Sequence, residues 1–531
     1  MKFKVLITEH LAPAGIEILK SQKDIEVTYE PELFRNFDRL LEIVKDFDAL
    51  ITRSGTPVNK ELLERAERLK VVGRAGVGVD NIDLEEASKR GILVVNAPTG
   101  NTLAATEHTM GMMICAARLI PYAHKSLKEE RKWERKKFMG VELAGKTLGI
   151  IGFGRIGSRV GIRAKAFDMK VIAYDPYIKR EKAERLGVEL VDELDELLRR
   201  SDIITIHTPL TEETRNMITK REIEKMKDGV IILNIARGGI INEKDLYDAL
   251  VSGKVRAAAV DVFSKEPAVD NILLDAPNII VTPHIGANTY ESQTNVAVII
   301  ANQIISALRG EDVEFAVNAP FEDFSSLKAL KPFVELAEKL GAFAVQVACA
   351  RSKEIVIEYR GDVGEDTKPL TASFLKGFLE KIVDIPVNLI NAPFLAKEKG
   401  ISVVEVRRPE GVNFKRLMKI TCKSEKEEFT LAGTVMEEKF PRIVEINGFL
   451  FELAPSGKFL LVKNYDVPGV IGKLGTILGK HNVNIAGFQL GRKEKGKEAR
   501  AVILVDDDVP EKAIEEIKEI PEIFEVKQVK L

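Results

Sequence analysis

The chain has 531 residues, 45% hydrophobic and 30% charged, with a formal net charge of −2. That composition belongs to folded soluble domains and excludes a disordered or collagen-like chain. The near balance of charge gives no general attraction to nucleic acid or to an anionic membrane. At about 150 residues per domain the length predicts three or four domains. Three scattered cysteines, Cys115, Cys349 and Cys422, form neither a disulfide framework nor a zinc spacing, so a reducing, cytoplasmic setting and no metal are expected. The start MKFKVLITEH reads as a strand, and no run of eighteen apolar residues marks a membrane span.

In chain order, apolar runs at 4–7, 49–51 and 71–73 predict strands, and amphipathic stretches at 13–20, 38–45 and 60–68 predict helices between them. Strands alternating with helices imply a parallel sheet. A second alternating set follows, with strands at 147–152, 170–174, 203–207, 230–234, 257–260 and 278–281. Two long helices bracket it, one over 103–119 and one ending at Arg309 before Gly310. This pattern predicts that the second domain is inserted into the first, the chain leaving along one helix and returning along the other. Beyond Asn318-Ala319-Pro320 the segment to Pro455 mixes a helix at 327–340 with strands at 354–359 and 417–422, and holds no catalytic motif. A linker is expected at 454–457. The remainder reads strand 459–462, helix 470–480, strands 483–490 and 499–505, helix 510–517 and strand 524–530, a ferredoxin-like βαββαβ order.

Gly152-Phe153-Gly154-Arg155-Ile156-Gly157 lies between a predicted strand and a predicted helix. In that context the three glycines permit a tight turn, approach to a pyrophosphate and helix–strand packing, and the helix N-terminus offers free N–H groups to phosphate. Asp175 ends the next strand, where a carboxylate accepts from ribose hydroxyls and repels a 2′-phosphate, which favours NAD. The plainer alternative is that Asp175 only starts the turn at Pro176, and Lys179 and Arg180 leave some room for NADP.

Of six histidines, His207 and His284 follow predicted strands at the carboxyl edge, where open parallel sheets bind ligands. Two other strand ends carry Asn234-Ile235-Ala236-Arg237-Gly238-Gly239 and Asp261-Val262-Phe263-Ser264-Lys265-Glu266-Pro267. An arginine beside glycines can grip a carboxylate bidentately, and a glutamate can hold a histidine's tautomer. Arg237, Glu266 and His284 therefore read as a proton-transfer site beside a hydride acceptor.

The segments GFGRIG, NIARGG, DVFSKEP and TPHIGA resemble the D-isomer-specific 2-hydroxyacid dehydrogenases over about the first 316 residues. The resemblance implies a Rossmann-type NAD domain, 99–286, inserted into a flavodoxin-like substrate domain, 1–98 and 287–316, both doubly wound parallel sheets. It places the catalytic arginine, glutamate and histidine on Arg237, Glu266 and His284, and implies cofactor contacts at Gly152, Gly154, Arg155, Ile156, Gly157, Asp175, Thr208, Ala236, Asp261 and His284. Asp261 is expected toward the nicotinamide, any contact at Val77 is through backbone, and His207 is structural or cofactor-facing.

The whole chain, through TRSGTPV, GRAGVGVDNID, NAPTGNTLAATEHT and KWERKKFMG, resembles the long form within that family that acts on 3-phosphoglycerate. The implied reaction is NAD-dependent oxidation of 3-phospho-D-glycerate to 3-phosphohydroxypyruvate, the first step of L-serine biosynthesis, in a homotetramer. By the same resemblance Arg53 and Arg74 bind substrate with Arg237, and Arg135 reaches a neighbouring subunit's site, although the composition of 125–137 alone favours a solvated helix end. Residues 317–455 resemble an α+β intervening, allosteric substrate-binding domain, and 456–531, with DVPG and VNIAGF, an ACT domain. There Asn464, Asp466 and Asn484 are candidates for binding L-serine as an effector, with ordinary turn and capping chemistry as the equal alternative. Two rivals remain: a glyoxylate or hydroxypyruvate reductase of the same family, and a non-catalytic NAD-sensing protein on the same fold.

Overall fold

A computed structural model of the chain describes residues 2–320, 324–347, 352–363, 367–409, 414–424 and 428–531. Cys349 lies outside them, and Cys115 and Cys422 form no disulfide. No helix among the described residues is long and apolar enough to cross a membrane.

Four sheets appear. The first is parallel, in the spatial order Ile25–Tyr29, Phe3–Ile7, Ala49–Thr52, Val71–Arg74, Leu93–Val95. Its central strands are apolar on both faces because helices cover both, which is why they read as continuous runs. The partly exposed strand Ile25–Tyr29 and the short, largely buried run Leu93–Val95, which the sequence reading did not single out, complete the flavodoxin-like order. The returning helix Tyr290–Arg309 packs on this sheet through Val296, Ile300 and Ile304.

The second sheet is also parallel, in the order Ile279–Val281, Val255–Val260, Val230–Asn234, Ile203–Ile206, Thr147–Ile151, Lys170–Tyr174, Glu189–Leu190. All six expected strands form, and the two-residue Glu189–Leu190 adds a seventh at the edge. The order reverses between Thr147–Ile151 and Ile203–Ile206, and this switch point opens a crevice beside the glycine loop. The outgoing helix Thr102–Arg118 packs on this second sheet, its buried Met110 and Met113 lying among the strand residues.

The third sheet is mixed, six strands from Ser402–Arg408 to Phe449–Leu453, covered by the helices Phe324–Val347 and Lys368–Leu379. The fourth is antiparallel, in the order Ile485–Arg492, Glu498–Val505, Lys458–Tyr465, Ile523–Lys530, with helices Val470–Lys480 and Glu511–Lys518. It is the expected βαββαβ unit. The short connection at 454–457 does not separate two independent cores. Phe459, Val502 and Val529 of the last unit share an apolar cluster with Phe343 and Phe451 of the third.

Candidate active site

Strand register builds the site. Asn234 pairs with Val260, and Val260 with Val281, so three neighbouring strands release the chain at one level. The turns that follow carry Arg237, Glu266 and His284. A Cβ on Gly238 would stand 1.8 Å from the Phe263 carbonyl oxygen, so the arginine turn lies directly on the glutamate loop.

His284 has φ 54°, a left-handed conformation uncommon outside glycine. Its N–H donates to the Asp261 and Thr282 carbonyls, at 2.9 and 3.0 Å. The Asp261 carboxylate holds the rest of the turn: it accepts from Thr282 Oγ1 at 2.5 Å and from the Ile285 and Gly286 N–H groups at 2.8 Å each. His108 Nε2 stands 3.4 Å from Asp261 Oδ1. Asp261 is 1% exposed, so its carboxylate is directed into this turn. Burial opposes its charge, but these hydrogen bonds hold it below the ordinary carboxylate range.

His284 Nδ1 meets Glu266 Oε2 at 2.9 Å. Glu266 Oε1 accepts from the Phe263 N–H at 3.1 Å. Burial raises the Glu266 pKa, and the hydrogen bond and charge of His284 with the Phe263 amide outweigh it, so the carboxyl lies below its usual value. Glu243, absent from the sequence reading, anchors the same loop by accepting from Ser264 N–H and Oγ at 2.6 and 2.8 Å. Its position at the start of helix Glu243–Ser252 also suits an acidic side chain.

Across the cleft stands a cluster of guanidinium groups. Arg74 is mostly buried, its Nε without a partner. Its pKa is pushed down to about 10 by desolvation and by the nearby charges of Arg237 and Arg53. Arg237 Nη1 donates to the Ala236 carbonyl at 2.7 Å, and its Nε lies 3.4 Å from Asp80 Oδ2. Cβ atoms on Gly76 and Gly78 would stand 1.4 Å from Arg74 Nη1 and 2.3 Å from Arg237 Nη2, so the GVGV turn leaves room for both arginines.

At the crevice, Gly152 has φ +89°, and a Cβ there would come within 2.8 Å of the His207 carbonyl. A Cβ on Gly157 would stand 2.1 Å from the Gly152 oxygen, whereas one on Gly154 would meet nothing within 4 Å. Thr208 Oγ1 is buried without a partner beside this loop. The open face at Gly154, the N-terminus of helix Arg155–Lys165 and the unpartnered hydroxyl fit a dinucleotide. Asp175 accepts from the Phe153 N–H at 2.8 Å and from the Tyr177 N–H at 3.0 Å, so it both ties the loop to the next strand and makes the turn. His207 bonds Thr205 Oγ1 at 3.0 Å, and desolvation pushes its pKa down to about 3, which keeps it neutral.

Arg135, Asn464, Asp466 and Asn484 lie in or beside other elements. Arg135 begins a short exposed turn, Arg135–Phe138, beside Trp133, which is 76% exposed. Asn464, Asp466 and Asn484 each bond locally: to the Tyr465 carbonyl, to Arg492 and the Gly496 N–H, and to Asp506. The buried Asn464 Oδ1 lacks a partner.

Three family models match consecutive parts of the chain: the NAD-binding domain of the D-isomer-specific 2-hydroxyacid dehydrogenases over residues 110–286, the D-3-phosphoglycerate dehydrogenase intervening domain over 329–447, and the ACT domain over 458–522. A D-3-phosphoglycerate dehydrogenase of Methanocaldococcus jannaschii is 47% identical over 529 residues, covering 99% of this chain and 100% of the relative. One of Bacillus subtilis is 40% identical over 530 residues, all of both chains. The chain belongs to the D-3-phosphoglycerate dehydrogenases, within the D-isomer-specific 2-hydroxyacid dehydrogenase family. Among solved structures, a glyoxylate reductase from Paecilomyes thermophila is 34% identical with a TM-score of 0.55, covering 60% of this chain and 98% of its own. A D-lactate dehydrogenase from Aquifex aeolicus, complexed with NAD and lactic acid, is 30% identical with a TM-score of 0.51, covering 58% and 96%. These shorter relatives share the family's dehydrogenase portion, and the full-length relatives extend over the intervening and ACT domains as well.

Proposed function

We propose that this chain oxidises 3-phospho-D-glycerate to 3-phosphohydroxypyruvate with NAD, using His284 as the acid and base, Glu266 to orient it and Arg237 to bind the substrate carboxylate. The observation that carries the reading is the His284–Glu266 pair placed beside a cluster of three arginines and a glycine loop open to a dinucleotide. Gly152, Gly154, Arg155, Ile156, Gly157, Asp175, Thr208 and Ala236 would hold NAD, and Asp261 would shape its nicotinamide end by holding the His284 turn. Bound there, NAD supplies the hydride acceptor.

With Nδ1–H directed to Glu266, neutral His284 keeps its Nε2 lone pair for the hydroxyl proton of the substrate. Glu266 then stabilises the imidazolium by a charge-assisted bond. Arg237 fixes the carboxylate and with it the face of the second carbon. Arg53 and Arg74 meet the phosphate, whose charge relieves the repulsion among the three guanidinium groups. In the reductive direction His284 donates the proton.

The division into a substrate domain at 1–98 and 287–316, an NAD domain at 99–286, an intervening domain at 317–455 and an ACT domain at 456–531 follows the same reading. So do a cytoplasmic location, a homotetramer and a role for Arg135 in a neighbouring subunit's site. The exposed Leu127, Trp133 and Met139 beside Arg135 support a subunit contact there. L-serine at the ACT domain, near Asn464, Asp466 and Asn484, would act as effector.

The deciding experiment follows NADH absorbance with 3-phosphohydroxypyruvate, hydroxypyruvate and 2-oxoglutarate. Strong preference for the phosphorylated substrate is expected. Equal or better turnover of hydroxypyruvate would make the chain a general 2-hydroxyacid reductase. Saturating L-serine should alter activity or melting temperature, and no change in either refutes the effector reading.

A further inference from the structure

Glu9 follows the strand Phe3–Ile7 at its carboxyl edge and is 8% exposed. Enclosing a carboxylate is costly unless its oxygens are satisfied. Here Oε1 accepts from the Arg53 N–H at 2.8 Å and from the Thr56 N–H, Thr56 Oγ1 and Thr52 Oγ1 at 2.9 Å each, while Oε2 accepts from the Gly55 N–H at 3.0 Å. Three backbone N–H groups of one short loop therefore converge as an anion nest, and the protein's own carboxylate fills it.

The carbonyls of that loop are held from the other side. Asn81 Nδ2 donates to the Arg53 oxygen at 2.8 Å and to the Thr56 oxygen at 2.7 Å. A Cβ on Gly55 would stand 2.9 Å from Glu9 Oε2 and 2.8 Å from the Phe34 ring, so the loop is seated directly on the carboxylate. Burial works against the charge, but the hydrogen bonds hold the Glu9 carboxyl below its ordinary value, so it is ionised at neutral pH.

We propose that Glu9 is a positioning residue for phosphate recognition: seated in the 53–56 loop, it sets Arg53 against Arg74 and Arg237 before substrate arrives. The inference rests on the proposed assignment of Arg53 and Arg74 to the substrate phosphate. It makes a prediction of definite sign. If Glu9 acted only through its charge, removing a negative charge near the arginines would strengthen phosphate binding. If it acts by holding the loop, removing it weakens binding.

The test compares KM and kcat for 3-phosphohydroxypyruvate and hydroxypyruvate in the full-length protein, Glu9→Gln and Glu9→Asp. Glu9→Asp keeps the charge but withdraws it by one methylene. Both variants should raise KM for the phosphorylated substrate by about tenfold, because arginine misplacement costs contact geometry. KM for NADH and kcat/KM for hydroxypyruvate should stay within about twofold. An unchanged or lower KM for the phosphorylated substrate in Glu9→Gln, or parent-like behaviour of Glu9→Asp, overturns the proposal. A parent protein with no preference for the phosphorylated substrate overturns the underlying assignment and the proposal with it. Should Glu9→Gln not fold, Thr56→Val removes a single hydroxyl donor in a closely similar volume, and a rise of about threefold in the same KM is expected. No rise then overturns the proposal.

Discussion

His284 presents its ring from a left-handed backbone that costs an ordinary L-residue roughly 1–2 kcal/mol. Asp261, accepting from Thr282, Ile285 and Gly286, offsets that strain by tying the turn together. Asparagine tolerates the same conformation, so His284→Asn should leave the melting temperature unchanged while kcat falls by about 10²–10⁴. Stopped-flow turnover beside calorimetry checks this, and a loss of fold with activity would contradict it. Glu9 supplies a pH prediction. Its folded pKa is depressed, so its stabilisation is present above the unfolded value and is lost as pH falls through the folded one. The gap in melting temperature between the parent and Glu9→Gln should therefore be full above about pH 5 and shrink in more acid solution. A gap that widens on acidification would refute the assignment.

At the scale of the element, the glycine loop separates two kinds of damage. Gly157→Ala drives a Cβ to 2.1 Å from the Gly152 oxygen, so it should lower the melting temperature of the apoprotein and weaken NADH binding together. Gly154→Ala meets no protein atom within 4 Å, so the apoprotein should melt as the parent does while NADH affinity falls by about tenfold or more. Calorimetry and NADH fluorescence titration distinguish them, and equal effects on both readouts would remove the cofactor from this face. The loop was legible in the sequence because its strand, turn and helix are consecutive. Arg237, Glu266 and His284 were legible as strand-end residues in recognisable motifs. Glu9, His108, Glu243 and Asp80 were not, because their roles come from partners far along the chain, such as Glu9 with residues 52–56 and His108 with Asp261.

For the whole molecule, the way the domains are joined matters. Residues 313–318 run along the edge of the first sheet: Ala316 bridges Val95, and Asn318 accepts from the Val94 N–H and donates to Ser88 Oγ and the Ile92 oxygen. Asn388 of the intervening domain donates to the neighbouring Gly91 carbonyl at 2.8 Å. Asn318→Ala should cost about 2–3 kcal/mol and open this segment to limited proteolysis, because three hydrogen bonds are lost together. Cleavage no faster than in the parent would show that the edge is held by other contacts. At the far end, Gln346 exchanges two hydrogen bonds of 3.0 Å with the Lys530 backbone, and Phe343 meets Phe459 edge-on at 6.4 Å. The third and fourth units should therefore unfold in one transition.

The sequence by itself determined the two parallel sheets, the insertion of one domain into the other, the terminal βαββαβ order and the motifs of the cleft. Each rests on local periodicity or on residues close in the chain, where strand, turn and helix preferences are written consecutively. Only the tertiary structure decided the short edge strands, most of the intervening sheet, the common core of the last two units and the burial and mutual repulsion of the arginines that the resemblance had assigned to substrate. A two- or three-residue strand such as Glu189–Leu190 or Leu93–Val95 is too short to show a period, and strands of a mixed sheet bury alternate side chains against helices distant in the chain. The arginines gather because separate strand ends converge on one crevice, and there burial and mutual repulsion press Arg74 down to about 10, an interaction no local pattern encodes.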